Sequence, residues 1–77
     1  MGCTFVNPEA ITAGELIEKC GLKGYRIGGA HVSSQHANFI LNDGATARDI
    51  SSLIGYVQKH VEEQTGISLR TEVRKLT

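Results

Sequence analysis

Tryptophan is absent from the chain, proline occurs once, and the Phe and Tyr rings come to two of each. That scarcity excludes a large aromatic pocket and leaves the core to Ile, Leu and Val packed against helices. An excess of one charge is missing too. Eight Lys and Arg balance eight Asp and Glu, and no long run of one sign offers a footprint for nucleic acid or an anionic membrane. No apolar run approaches the ~20 residues that span a bilayer. With only Cys3 and Cys20, one disulfide at most is possible. The start shows no basic, apolar and small-residue leader pattern, so two free thiols in a reducing, cytoplasmic compartment are expected. Neither G-x-G-x-x-G nor a P-loop occurs, which excludes a nucleotide-cofactor motif within these residues. Seventy-seven residues make a single domain, 1–77, of modest stability.

What is present reads as alternating short elements. Gly2-Cys3-Thr4-Phe5-Val6 is β-prone and stops at Asn7-Pro8, because proline has no N–H for a ladder and restricts its predecessor. Thr12 and Glu15 have capping-box spacing, and Ala13, Leu16, Ile17 and Cys20 follow at i, i+3, i+4, i+7, so a short helix is predicted with Gly21 as its left-handed stop. Tyr25 to Val32 is expected to be a strand interrupted by a bulge or turn at Gly28-Gly29-Ala30. Asn38 to Leu41 is a second short strand, closed by the turn Asn42-Asp43-Gly44. Thr46 and Asp49 repeat the capping logic, and Ile50, Leu53, Ile54, Val57 and Val61 mark a longer amphipathic helix ending at Gly66. Ile67, Leu69, Thr71 and Val73 then alternate with Ser68, Arg70, Glu72 and Arg74 as a half-buried strand. The elements predict an α+β fold, two helices packed on one face of a small, largely antiparallel sheet, with the other face left for solvent, another domain or a ligand.

Few side-chain groupings suggest chemistry by themselves. His31, His36 and His60 lack metal-ligand spacing, and His60 falls on the polar side of the long helix. Gly21-Leu22-Lys23-Gly24 has the G-x-x-G form of an RNA-clamping KH loop, but a strand follows where that clamp needs a helix. Glu72, flanked by Arg70 and Arg74, reads as a solvated charge on an open sheet face. Cys3 reads as an inert packed thiol or a reactive one, and the residue types around it do not decide between them.

The ordered stretches GCTFVNP, AGELIEKCGLKGYRIGGAHVSSQHANFILN, ATARDI and LRTEVR span nearly the whole chain. Together they resemble the C-terminal domain of the UDP-N-acetylenolpyruvoylglucosamine reductase (MurB) family. The resemblance implies a flavoenzyme of cell-wall precursor synthesis in which NADPH reduces FAD and the flavin passes hydride to the enolpyruvyl group of UDP-N-acetylglucosamine enolpyruvate. It implies that the FAD-binding domain lies on the same or a separate chain, that this domain binds neither FAD nor NADPH, and that it is inactive alone. In the family pattern the residue after the first glycine supplies a proton, and Cys3 stands there. By the same resemblance Asn7 contacts substrate and Glu72 is catalytic. Cys3, Phe5 and Asn7 share one side if their segment is a strand.

The chemistry suits these assignments. Hydride delivery to the alkene leaves electron density on the carbon bearing the carboxylate, which needs a positioned acid. A thiol of reference pKa ~8.5 is mostly protonated at neutral pH, and a nearby carboxylate such as Glu72 favours the neutral form further. The sequence departs from the pattern at Val6, where the family usually has a basic residue, and at Asp43-Gly44, where a surface loop is one residue shorter. The competing expectation is a stand-alone module that binds a nucleotide-sugar or a protein without catalysis.

Overall fold

A computed structural model describes residues 4–71. Helix α1 runs over Ala13–Lys19, strands β1, β2 and β3 over Arg26–Ile27, Ala30–Val32 and Ile40–Asn42, and helix α2 over Ala47–Thr65. The strands form one antiparallel sheet in the order β1-β2-β3, with Arg26, His31 and Leu41 side by side across it. Ala30 and Val32, the neighbours of His31 on β2, point to the opposite face and are buried. There they join Leu16 and Ile17 of α1 and Leu53, Val57 and Val61 of α2 in one apolar cluster. The architecture is α+β, as the alternation of patterns predicts.

Both helices begin as their sequences dictate. The Thr46 hydroxyl accepts from the Asp49 N–H at 3.1 Å while the Asp49 carboxylate accepts from the Thr46 N–H at 3.3 Å, a complete capping box. At α1 the box is half made: Thr12 Oγ1 accepts from the Glu15 N–H at 3.2 Å, but the Glu15 carboxylate takes the Thr12 hydroxyl rather than its backbone N–H. Helix α1 stops one residue earlier than the stripe suggests, and Cys20 is its half-buried C-cap, packed against the core with a free thiol. Gly21 (φ 73°) then donates to the Glu18 carbonyl and Leu22 to the Ile17 carbonyl, closing a Schellman motif with Ile17 and Leu22 both buried.

Two expectations need correction. Tyr25 to Val32 is not one interrupted strand but a hairpin whose two-residue turn is Gly28-Gly29. A side chain on Gly28 (φ 58°) would run into the Asp49 carboxylate, and one on Gly29 would stand 2.5 Å from the Asp43 carbonyl oxygen. The glycines are required by close packing of this turn on the start of α2, where Asp49 also accepts from the Gly29 N–H at 3.4 Å. The outer strands, in turn, reduce to a single antiparallel bridge, Phe5 to Thr71, among the described residues. Burial still alternates across Ile67–Thr71, with Leu69 buried and Ser68 and Arg70 exposed.

Candidate functional site

The three candidate residues separate into one described position and two that flank the described segment. Cys3 and Glu72 lie outside the described residues. Asn7 lies within them, exposed, just past the point where the Val6 N–H donates to the Arg70 carbonyl at 2.8 Å. Phe5, by contrast, is buried in the core. The difference in burial goes with the end of the ladder, since the chain leaves it at Asn7-Pro8.

Asn7 has a structural task as well as an exposed position. Its Oδ1 accepts from the N–H of Ala13, the first residue of α1, at 3.0 Å. One of the helix's unpaired donors is thus satisfied from outside the cap residue. Among the described residues this is the bond made by the Asn7 side chain.

Asn7 stands on a ridge between two clefts. The first, of about 310 Å³, is walled by Thr12 and Glu18 on the α1 side and by Gln35, His36 and Phe39 opposite. The second, of about 260 Å³, is walled by Val6, Pro8, Glu9, Ser68 and Arg70. The family's usual basic residue is missing at Val6, but Arg70 lines the same cleft. Together the clefts offer neutral amides, hydroxyls, an imidazole, the carboxylates of Glu18 and Glu9 and one cation, Arg70, a mixed polar lining suited to a hydroxyl-rich ligand.

The wall facing α1 is shaped by a short polar run. The buried Ser33 hydroxyl accepts from the N–H groups of Gln35 and His36, each at 3.2 Å. The Phe39 N–H donates to the His36 carbonyl at 2.9 Å, and the His36 ring tilts over Phe39 with centroids 5.5 Å apart. This serine-centred turn projects Gln35 and His36 outward into the cleft. Sequence reasoning weighed His36 only as a metal ligand and passed over Gln35. The visible signal was Ser33-Ser34-Gln35-His36, a polar break between two apolar runs.

Other readings of the motifs find less support. Among the described residues no group of three His, Cys, Asp or Glu is placed to hold a metal. The Gly21–Gly24 loop connects α1 to a hairpin, its first glycine closes the helix, and Lys23 pairs with Glu18 at 3.4 Å, so the geometry is not a KH clamp. The Gly28-Gly29 turn faces the Asp49 carboxylate, which would repel a pyrophosphate, so this turn does not fit the phosphates of FAD or NADPH. No described helix is long and apolar enough to cross a membrane.

Comparison with known proteins gives a consistent result. The family model for UDP-N-acetylenolpyruvoylglucosamine reductase, C-terminal domain, matches residues 1–76. A UDP-N-acetylenolpyruvoylglucosamine reductase from a Synechococcus species is 60% identical over 76 residues, covering 97% of this chain and 24% of the relative. Its counterpart from Anoxybacillus flavithermus is 58% identical over 73 residues, covering 94% of this chain and 24% of the relative. The crystal structure of UDP-N-acetylenolpyruvylglucosamine reductase (MurB) from Thermus caldophilus superimposes with a TM-score of 0.77 at 42% identity, over 95% of this chain and 26% of that one. The chain thus spans about a quarter of the length of these relatives.

Proposed function

Because this chain belongs to the UDP-N-acetylenolpyruvoylglucosamine reductase family, as its C-terminal domain, we propose that it is the substrate-binding and proton-donating part of a UDP-N-acetylmuramate dehydrogenase working in the cytoplasm on peptidoglycan precursors. Its substrate is UDP-N-acetylglucosamine enolpyruvate. FAD, reduced by NADPH and held by the rest of the enzyme on the same or a separate chain, supplies the hydride. This domain alone binds neither cofactor and turns nothing over. A match along almost the whole chain to reductases favours this reading over a free-standing binding module.

The observation that carries the site assignment is the bridge between Phe5 and Thr71. It joins the chain segment next to Cys3 to the segment next to Glu72, at the edge where Asn7 and Arg70 line one cleft. The thiol of Cys3 donates its proton to the substrate carbon that bears the carboxylate. Glu72 keeps that thiol neutral until transfer, because a second negative charge beside a carboxylate is unfavourable. Asn7 Nδ2 and the Arg70 guanidinium orient the anionic substrate by hydrogen bonding and charge.

The test uses the full-length reductase carrying this domain. Cys3→Ala is expected to leave flavin reduction by NADPH near normal and to slow flavin reoxidation by the enolpyruvyl substrate ~10²–10⁴-fold, the usual share of a general acid. Cys3→Ser, which keeps an O–H donor, retains far more of that rate. Reoxidation of the Ala variant at the parent rate in stopped flow would mean that Cys3 is a packing residue.

A further inference from the structure

The most unusual hydrogen bonds in the described residues surround Asn38, which the sequence pattern assigns to the start of a strand. It is not in the ladder: β3 begins two residues later, and Asn38 is a buried polar residue, 7% exposed. Its Oδ1 accepts from the Phe5 N–H at 2.8 Å, and its Nδ2 donates to the Phe5 carbonyl at 3.0 Å. Its own carbonyl accepts from the Thr4 N–H at 2.8 Å.

An extended residue presents its N–H and C=O to the same side, and a neighbouring strand normally answers with one acceptor and one donor. The carboxamide of Asn38 carries that same pair in one plane and stands in for the missing strand. Asp lacks the donor, Leu lacks both groups, and Gln is one methylene too long for a site packed this closely. On its other edge the segment is held by the Arg70 carbonyl through the Val6 N–H. Thr4 to Val6 is therefore gripped from both sides, and one of the two grips is a side chain.

We infer that Asn38 is a positioning residue for proton transfer: by imitating a strand it fixes the Thr4–Val6 backbone and so sets where the adjoining Cys3 delivers its proton. The inference rests on the proton-donor reading of Cys3. A general acid must reach its acceptor within hydrogen-bond distance, and a displacement of ~1 Å can lower the rate on the order of 10²-fold. Asn38 acts on this segment through the Phe5 peptide groups, its Oδ1 and Nδ2 each bonded to one of them.

Stopped-flow half-reactions of the full-length enzyme test this. Asn38→Leu, with the same branching but no group able to hydrogen bond, is expected to slow reoxidation by substrate on the order of 10²-fold and to leave reduction by NADPH unchanged. Asn38→Asp, which keeps the acceptor for the Phe5 N–H, gives an intermediate loss and serves if the Leu variant does not yield folded enzyme. In a Cys3→Ala background neither change slows reoxidation further, because the group being positioned is gone. A purely structural role would instead depress both half-reactions and persist in that background. Parent rates in the folded Asn38 variants, or losses that multiply with that of Cys3→Ala, overturn the positioning role while leaving the proton-donor reading intact. A Cys3→Ala enzyme that reoxidises at the parent rate removes both.

Discussion

Along α2 the fastenings are local and periodic, whereas around Asn38 they join residues far apart in the chain and follow no period. Leu53, Val57 and Val61 are fully buried on successive turns of α2, and the helix is capped by residues three apart. At the other edge, Phe5 is tied to Asn38 and Val6 to Arg70, with one shorter link from Asn7 to Ala13. The difference teaches a division of labour. The helix and hairpin are held by apolar burial, and the edge, which adds Phe5 and Leu69 to the same core, is held also by a few directional bonds beside the cleft that Asn7 and Arg70 line. Directional bonds fix geometry more narrowly than apolar contacts, and their net contribution of ~0.5–1.5 kcal/mol each is smaller.

That division can be broken most severely from the core side. Leu53→Ala, at a position with no exposed surface, is expected to cost ~2–5 kcal/mol in urea denaturation, with all regions unfolding together. A loss below ~1 kcal/mol would mean that the cluster closes up around the missing side chain. At the edge, Asn7 separates stability from binding. Asn7→Ala loses the bond to the Ala13 N–H and is expected to cost ~1 kcal/mol and to raise the KM for substrate. Asn7→Asp keeps the acceptor, so its stability stays within ~0.5 kcal/mol of the parent while KM still rises, because the Nδ2 donor is gone. An Asp variant with the parent KM would confine Asn7 to helix capping.

Smaller effects sharpen the comparison. Thr46→Ala removes the hydroxyl half of the α2 capping box and is expected to lower the urea midpoint by the equivalent of ~1 kcal/mol without changing either half-reaction. A change in substrate reoxidation would show the two regions coupled. Burial raises the Cys20 thiol above its ordinary pKa. The folded state therefore holds this proton more tightly than the unfolded chain. The stability Cys20 contributes is present below the unfolded pKa of ~8.5 and is lost as pH rises through the folded value. Iodoacetamide is expected to label Cys20 more slowly in the native protein than in denaturant at pH 8, read by mass spectrometry. Equal rates would mean that the helix end is open.

How much was legible in the sequence divides along the same line. Leu53, Val57 and Val61 declare α2 by spacing, and Thr46 with Asp49 declares its start, because both signals are carried by residues within a turn of each other. The α+β arrangement followed from the order of such elements. Asn7 was identified only through the family motif, and its capping bond to Ala13 was not foreseen. Asn38 was misread as strand because its partner lies at the other end of the chain. Ser33, which orients Gln35 and His36, forms a turn through its hydroxyl, and nothing in an apolar-polar pattern distinguishes that from a solvated serine. Gly28-Gly29 announces a bulge or turn, but what demands glycine there, the Asp49 carboxylate and the backbone of Asp43 and Ala45, lies beyond any local pattern.

The bridge from Phe5 to Thr71 spans nearly the whole described chain, and this has a kinetic meaning. Contacts between distant residues wait on the closure of everything between them, so this edge is the last part to form and the first to open. The amides of Thr4, Phe5 and Val6 are expected to exchange with deuterium well before those of Leu53 and Val57. Anything that clamps the edge, a bound nucleotide-sugar above all, then slows that exchange selectively. In such a molecule the breathing of one seam reports occupancy of the site while the interior stays silent.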